Sequence, residues 1–346
     1  MKLWRIASFG VENLEQVEAP IPEIGAHQVL IRVHAVSLNF RDLLMVKGHY
    51  NPKLALPRIP CSDGAGEIAA IGADVHQWKL GDRVSGIFMQ NWLDGRPSSQ
   101  KHVGALGGDI DGMAAEYVAL PAESVVAVPE HLTYEEAATL PCAGVTAWNA
   151  IVTAGVVQPG QTVLIQGTGG VSVFALQFAK LAGARVIGTS GSDEKLARAR
   201  ELGLDAGLNY KTSPDWARWV VEQTSGEGAD LVVEVGGAGT LPQSLKAVRV
   251  GGIVAQIGVL TGVEEKLLIA PILHKQINIQ GIYVGSKQNF LQMNTAITHS
   301  GLRPVVDKIF SFNDMSGALA AMEAGAHFGK IVVRTIETHE KVKTFS

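Results

Sequence analysis

Little in this chain is thiol-bearing, charged or basic. Two cysteines in 346 residues, Cys61 and Cys142, cannot make a disulfide framework, and a reducing compartment is their simplest setting. The formal net charge of −4 leaves no basic footprint for nucleic acid. No apolar run approaches bilayer-spanning length. The opening MKLWRIASFGVENLE has neither a long apolar core nor a small-residue cleavage site, so no secretory signal is read there. Internal repeats and low-complexity linkers are also missing. What abounds is apolar: 47% hydrophobic against 18% charged residues marks a well-buried, cytoplasmic enzyme of small-molecule chemistry, with neither nucleic acid nor membrane as partner. Its length suggests two domains.

Residues 1–128 read mostly as strands: HQVLIRVHAVSLN, GAGEIAAIG, GDRVSGIF and GMAAEYVALP are β-branched and apolar, broken by glycine and proline. From about residue 129 strands alternate with helical periods. VLIQG is followed by VSVFALQFAKLAG, then RVIGTS by DEKLARARELG, and the alternation runs on through DLVVEVGG, IVAQIGV and INIQGIYVG. That pattern implies right-handed crossovers and a parallel sheet covered on both faces. The expected organisation is α/β. A β-rich domain comprises 1–128 and 287–346, its tail packing back on the start, and a doubly wound domain comprises 129–286.

The turn VLIQGTGGVS (163–172) joins a buried-strand run to a helix, the context a dinucleotide fingerprint needs. Gly167 permits the tight turn and Gly169 lets the backbone approach a pyrophosphate. Gly170 and Val171 open the helix, whose N-terminus offers amide donors and a positive dipole end. Ser172 stands where a third glycine would serve close packing, and being small it loosens that packing slightly. The next strand ends in Thr189, Ser190 and Gly191, without the acid that would accept from a ribose 2′-hydroxyl. Ser190 and Lys195 would welcome a 2′-phosphate, and Tyr210 could close over it; Lys195 has the alternative of a solvated helix residue. Asp193 reads as the N-cap of that helix and keeps NADH possible. NADPH is favoured.

Several segments in order resemble one family, the medium-chain dehydrogenase/reductases, and within it the zinc-free quinone oxidoreductase group. They are VSLNFRDLLMVKGHY (36–50), IPCSDGAGEIAAIG (59–72), LPCAGVTAW (140–148) and HFGKIVVR (327–334). The resemblance implies a GroES-like catalytic domain with a Rossmann domain, and a homodimer formed by pairing sheet edges. It also implies that Thr146, Gly258, Val259, Val284, Gly285 and Ser286 approach the cofactor, and that Lys330 reaches its adenosine phosphates. The positions that hold catalytic zinc in related enzymes read Asn39, Ser62-Asp63 and the neighbourhood of Ala143, beside Cys142. Three ligands do not survive. The lobe that holds a structural zinc, 90–112, offers only His102 and acids. No zinc is expected, and the cysteines read as small buried apolar residues.

Without a Lewis acid, reduction of a quinone or an α,β-unsaturated carbonyl asks less of the protein than alcohol oxidation. Candidate donors are Asn39 and Tyr50, the latter also a proton relay; Asn39 alternatively caps a turn, and Tyr50 is alternatively a packed loop aromatic. Arg41 and Asp42 read as a structural pair, and Glu234 as structural. Segment 90–112, with Trp92, either walls the substrate pocket or is an exposed ornament. The alternatives to the quinone or enone reductase are a zinc-free alcohol dehydrogenase and an NADPH-binding protein with little turnover.

Overall fold

The computed structural model describes residues 1–336, so 337–346 of the expected catalytic domain lie outside the described residues. The chain forms two compact units, Met1–Cys142 with the segment from Ser286 onward, and Ala143–Gly285. In chain order the first unit contributes β1 (Lys2–Ile6), β2 (Leu14–Glu18), β3 (Gln28–Leu38), α1 (Phe40–Val46), β4 (Asp63–Ile71), β5 (Arg83–Gly86), β6 (Tyr117–Pro121), β7 (Val125–Ala127) and α2 (Tyr134–Ala137). The second contains α3 (Val145–Trp148), β8 (Thr162–Gln166), α4 (Gly170–Leu181), β9 (Arg185–Ser190), α5 (Asp193–Glu201), β10 (Ala206–Asn209), α6 (Trp216–Gln223), β11 (Ala229–Glu234), α7 (Leu241–Ala247), β12 (Val248–Gln256), α8 (Ala270–His274) and β13 (Asn278–Gly281). The chain then returns to the first unit with α9 (Lys287–Ser300), β14 (Val306–Ser311), α10 (Met315–Glu323) and β15 (Lys330–Arg334).

The main sheet of the first unit runs β14-β15-β3-β4-β5-β7, with β6 also paired to β3. Long β3 is its organiser: Val29, Ile31, Val33, Val36 and Leu38 are fully buried in one core with Ile6, Val84 and Ile331. The tail does pack back, since β15 pairs antiparallel with β3. The division between units falls after Cys142 and not after Val128. The reason is α2, which packs on β3 and β4: Tyr134 stacks on His34 at 4.1 Å and lies under the Arg83 guanidinium.

The second unit is a six-stranded parallel sheet in the order β10-β9-β8-β11-β12-β13. Numbered from its first strand this is 3-2-1-4-5-6, the doubly wound dinucleotide-binding order. Its central strands are continuous buried runs, as a sheet covered on both faces requires: Val163, Leu164, Val186, Ile187, Val232, Val233 and Val254 are all fully buried. The GroES-like and Rossmann halves expected from the sequence are both present.

Candidate active site and cofactor turn

In the second unit β8 ends at Gln166, and Gly167 takes φ +66°, a left-handed conformation available to glycine at little steric cost. Its N–H donates to the Thr189 carbonyl at 2.7 Å, holding the turn against β9. Gly169 caps α4, whose first residues are Gly170 and Val171. A Cβ on Gly167 or Gly169 would meet nothing within 4 Å, so the turn is an open cradle in front of a helix N-terminus. Ser172 does more than loosen packing: its buried hydroxyl donates to the Gln166 carbonyl at 2.6 Å and fastens the helix to the strand end. Beneath lies a buried carboxylate. Glu234 accepts from Gln166 Nε2 at 2.7 Å, from the backbone of Gly236 and Gly237, and from the Thr240 and Ser244 hydroxyls. These bonds join the ends of β8 and β11 to the start of α7, the structural role expected of Glu234.

At the end of β9, Ser190 is buried and its Oγ accepts from Ser192 N at 3.3 Å. Ser192, not Asp193, is the N-cap of α5, because its Oγ accepts from Lys195 N. Lys195 stands on the first turn of that helix beside Asp193 and Glu194. Tyr210 N donates to the Ser190 carbonyl at 3.1 Å. A Cβ on Gly191 would stand 2.8 Å from the Tyr210 hydroxyl oxygen and 2.9 Å from Lys211 Cε. The structure thus brings Ser190, Gly191 and Tyr210 together and adds Lys211, a cation the sequence reading passed over although it directly follows Tyr210.

The other expected cofactor residues divide. Gly258 follows β12, where a Cβ would come within 1.9 Å of the Val235 carbonyl oxygen, so only glycine fits. Val259 is exposed beside it, while Val284 and Gly285 follow β13 and are buried. All lie past the carboxyl ends of parallel strands, where ligands of open α/β sheets bind. Thr146 is buried in α3. Two residues lie in the first unit, and the second of them is corrected. Ser286 belongs to the first unit and caps α9, its hydroxyl taken up by Asn289 N at 3.2 Å and Asn289 Oδ1 at 2.9 Å. Lys330 does not reach outward to a phosphate. It is buried in the first unit, where Nζ donates to the Leu38 carbonyl and to Asn39 Oδ1, both at 2.6 Å.

That ammonium anchors the candidate catalytic cluster. Asn39 ends β3 and starts α1, its N–H donating to Asp42 Oδ2 at 2.8 Å. Its Nδ2 faces Ser62 Oγ at 3.5 Å, and Ser62 Oγ donates to Asp63 Oδ1 at 2.6 Å. Cys142 N donates to the other Asp63 oxygen at 3.1 Å. Asp42, Ser62 and Asp63 have no exposure at all. Burial pushes the Asp63 carboxyl up to about 6, against the pull of Lys330, Ser62 and Asn39. Burial also raises Asp42, opposed chiefly by Arg41. Arg41 lies 3.3 Å from Asp42 Oδ1, so their reading as a pair stands. Its guanidinium also donates to the Leu106 carbonyl and covers the Phe88 and Tyr50 rings at 4.8 and 5.5 Å. Tyr50 itself is 38% exposed. Trp92 is buried, tilted against His102 and bonded to the Gly95 carbonyl, while the Trp92 and Leu93 carbonyls accept from the first residues of α9; segment 90–112 is anchored at these points, and its residues 94–100 are exposed.

A parallel sheet of dinucleotide-binding order in one unit and a buried polar cluster in the other, β-rich unit define a two-domain, nicotinamide-dependent oxidoreductase. Residues 25–130 match the alcohol dehydrogenase GroES-like domain, and residues 170–299 match the zinc-binding dehydrogenase family. A zinc-type alcohol dehydrogenase-like protein of Schizosaccharomyces pombe is 44% identical, the match covering 94% of this chain and 96% of that one. Among solved structures, an NAD-dependent alcohol dehydrogenase superposes with a TM-score of 0.90 at 35% identity, covering 97% and 100%. The quinone oxidoreductase of Coxiella burnetii superposes at 0.79 and 27%, covering 97% and 99%. The chain belongs to the medium-chain dehydrogenase/reductase superfamily.

Zinc appears in the names of the second family and of the first relative, but the donor set of this chain does not supply its ligands. Among the described residues no group of three or more His, Cys, Asp or Glu could hold a metal ion. At the ligand positions stand the Asn39 amide, the Ser62 hydroxyl with the Asp63 carboxylate after it, and Ala143 with one thiol, Cys142, next to it. Burial and the nearby Asp63 raise that thiol far above its ordinary range, which disfavours the thiolate a metal binds. A lysine ammonium already lies against the first of them. The residues do not fit catalytic zinc. They do fit a dinucleotide, through the open glycine turn and the amides of α4. No helix among the described residues is long and apolar enough to cross a membrane.

Proposed function

We propose that this NAD(P)-dependent oxidoreductase interconverts a carbonyl compound and its alcohol without zinc, with NADPH preferred over NADH. The observation that carries the metal-free part is the Lys330 ammonium bonded to Asn39 Oδ1 where a zinc ligand would otherwise stand. The alcohol dehydrogenases among the relatives support the substrate class, and they favour it over the quinone or enone reading drawn from sequence. When bound, the cofactor supplies or accepts a hydride. The residues of the chain have four tasks. The turn at 167–172 holds the pyrophosphate with amides and a helix dipole. Ser190, Lys195, Tyr210 and Lys211 hold the 2′-phosphate. Lys330 fixes the rotamer of the Asn39 amide with its oxygen inward, which leaves Nδ2 as the end that donates to a substrate oxygen as charge builds there. Asp63, raised by burial to about 6, gives a proton to Ser62 Oγ as that hydroxyl passes its own proton to the substrate oxygen and takes one back in the reverse direction, and Tyr50 is the second candidate donor.

Quinone or enone reduction is the second reading, favoured by the structural likeness to the Coxiella quinone oxidoreductase and by the weak electrophilic demand of such acceptors. We also propose a homodimer built on the edge strand β13. Support comes from that unpaired edge and from Leu268, Ile269 and Leu273 near it, each more than 70% exposed.

The deciding experiment uses chelator-treated protein. NADPH and NADH oxidation are followed with an aldehyde, a quinone and an enone, and NADP⁺ reduction with alcohols. Saturable turnover on the aldehyde–alcohol pair without metal is expected. Turnover confined to the quinone or enone moves the assignment to the second reading. Activity that returns only with added zinc refutes the metal-free site, and tight binding without turnover leaves a cofactor-binding protein.

A further inference from the structure

The backbone at Val284 is held in a conformation its side chain disfavours. Val284 is β-branched and takes φ +56°, in the left-handed region where a residue of this kind is a genuine outlier. It is 5% exposed. Such strain persists only where the surroundings over-determine it, and it concentrates at ligand sites. One restraint is visible. The side chain of Asn149 donates from Nδ2 to the Val284 carbonyl at 2.8 Å, across 135 residues of chain.

Asn149 is itself in an unusual place. The regular turn of α3 gives way there to a π-helical turn, Asn149–Thr153. Wide turns of that kind are rare and recur at functional sites. Val284 lies past the carboxyl end of β13, whose neighbour β12 leads directly into Gly258 and Val259. It therefore stands at the ligand-binding edge of the parallel sheet. It is displaced from the glycine turn by two intervening strands, β11 and β12. A dinucleotide whose pyrophosphate is held at Gly167–Gly170 extends along that edge toward residues 258 and 284. The adenosine half points the other way, toward Ser190 on β9.

We infer that Asn149 is a positioning residue for the nicotinamide end of the cofactor, acting through the strained Val284 backbone. The inference rests on the dinucleotide reading of the second unit. By fixing the Val284 carbonyl, Asn149 sets the direction of the 284–285 backbone before any ligand arrives. The nicotinamide ring then meets a preformed wall, not a mobile loop. Its contribution falls on one half of the ligand only, because nothing in the Asn149–Val284 pair touches the Ser190 side of the sheet.

The test compares whole dinucleotides with fragments that lack nicotinamide. Dissociation constants are measured by calorimetry for NADPH and adenosine 2′,5′-bisphosphate, and for NADH and ADP-ribose. The proteins are wild type, Asn149→Asp, Asn149→Ala and Val284→Gly. Asn149→Asp keeps the shape and removes the donor, while Val284→Gly relieves the left-handed strain, keeps the carbonyl that Asn149 binds and should hold dinucleotide affinity within about twofold of wild type. The two Asn149 variants are each expected to weaken the dinucleotide roughly fivefold or more, the worth of one lost hydrogen bond and its ordering. Fragment affinity should stay within about twofold. The enhanced fluorescence of bound NADPH, a signal of the nicotinamide ring alone, should fall in the same variants. Equal losses for dinucleotide and fragment would mean a general structural role and overturn the inference, as would unchanged NADPH binding. If the wild type binds the fragments and neither dinucleotide more tightly, the nicotinamide end has no site here and the inference also falls. Failure of the wild type to bind any of the four overturns the dinucleotide reading itself.

Discussion

Replacing Lys330 with Met tests the catalytic cluster most directly. The ammonium is 3% exposed and bonded to Asn39 Oδ1 and the Leu38 carbonyl, with Asp63 and Asp42 near enough to feel its charge. Methionine fills much the same volume, so packing changes little. What changes is charge: two buried carboxylates are left with Arg41 alone as a countercharge. Leaving the Leu38 carbonyl and Asn39 Oδ1 buried without their donor costs about 1–3 kcal/mol each, or about 3–5 kcal/mol in all with the lost countercharge. At ~2–4 °C per kcal/mol for domains of this size, the melting temperature should fall by roughly 6–20 °C. Adding Asp63→Asn removes the orphaned carboxylate and should return the countercharge part of the loss. The coupling between the two sites, read from urea unfolding of the two single variants and the double, should then exceed about 2 kcal/mol. Turnover separates the structural from the chemical part. The double variant should regain stability and remain slow, since its Asn39 amide is no longer held with its oxygen inward and Asp63 no longer carries a proton. If Lys330→Met costs under ~1 kcal/mol, or if the two substitutions add without coupling, the ammonium is not the cation of this site and the reasoning fails.

Three further outcomes are expected. The folded pKa of Asp63, about 6, lies above its ordinary 3.8, so the contribution of this group to stability is complete below pH 3.8. It declines as pH rises to about 6, by about 3 kcal/mol in total. In paired unfolding series from pH 4 to 7, Asp63→Asn should lack that decline, and parallel curves would contradict the raised value. Lys211→Ala should weaken NADPH severalfold more than NADH; equal effects in fluorescence titrations would detach Lys211 from the 2′-phosphate. Leu273→Asp should shift the protein from dimer to monomer in light scattering, while a wild type that is monomeric at every concentration tested would discard the β13 interface.

The second unit was legible because parallel sheets write their burial into sequence. VLIQG and DLVVEV are runs that only a strand covered on both faces tolerates, and the glycine turn between VLIQ and the following helix has few alternative uses. The boundary at Cys142 was not legible. It is set by Tyr134 stacking on His34, a contact across a hundred residues. Asn39 and Asp42 were found from a local pattern, but Lys330 was misplaced. Nothing in HFGKIVVR tells an outward lysine from one aimed at the end of β3; that depends on β15 pairing with β3 in the register that sets Ile331 opposite Leu38. Asn149 left no signal, since a single amide in an apolar helix gains meaning only from the carbonyl it meets. Ser172 looked like a small departure from a glycine pattern, and only its bond to Gln166 shows that the departure has a function of its own.

A cation tethered to the backbone through Lys330 differs in kind from one that is bound. A chelator cannot strip it, a competing metal cannot displace it, and its occupancy does not follow the metal supply of the cell. It also cannot widen its coordination shell to take in a substrate oxygen and then release it, so any selectivity or rate that a metal would lend through ligand exchange has to come from the fixed side chains around Asn39 and the orientation of its amide.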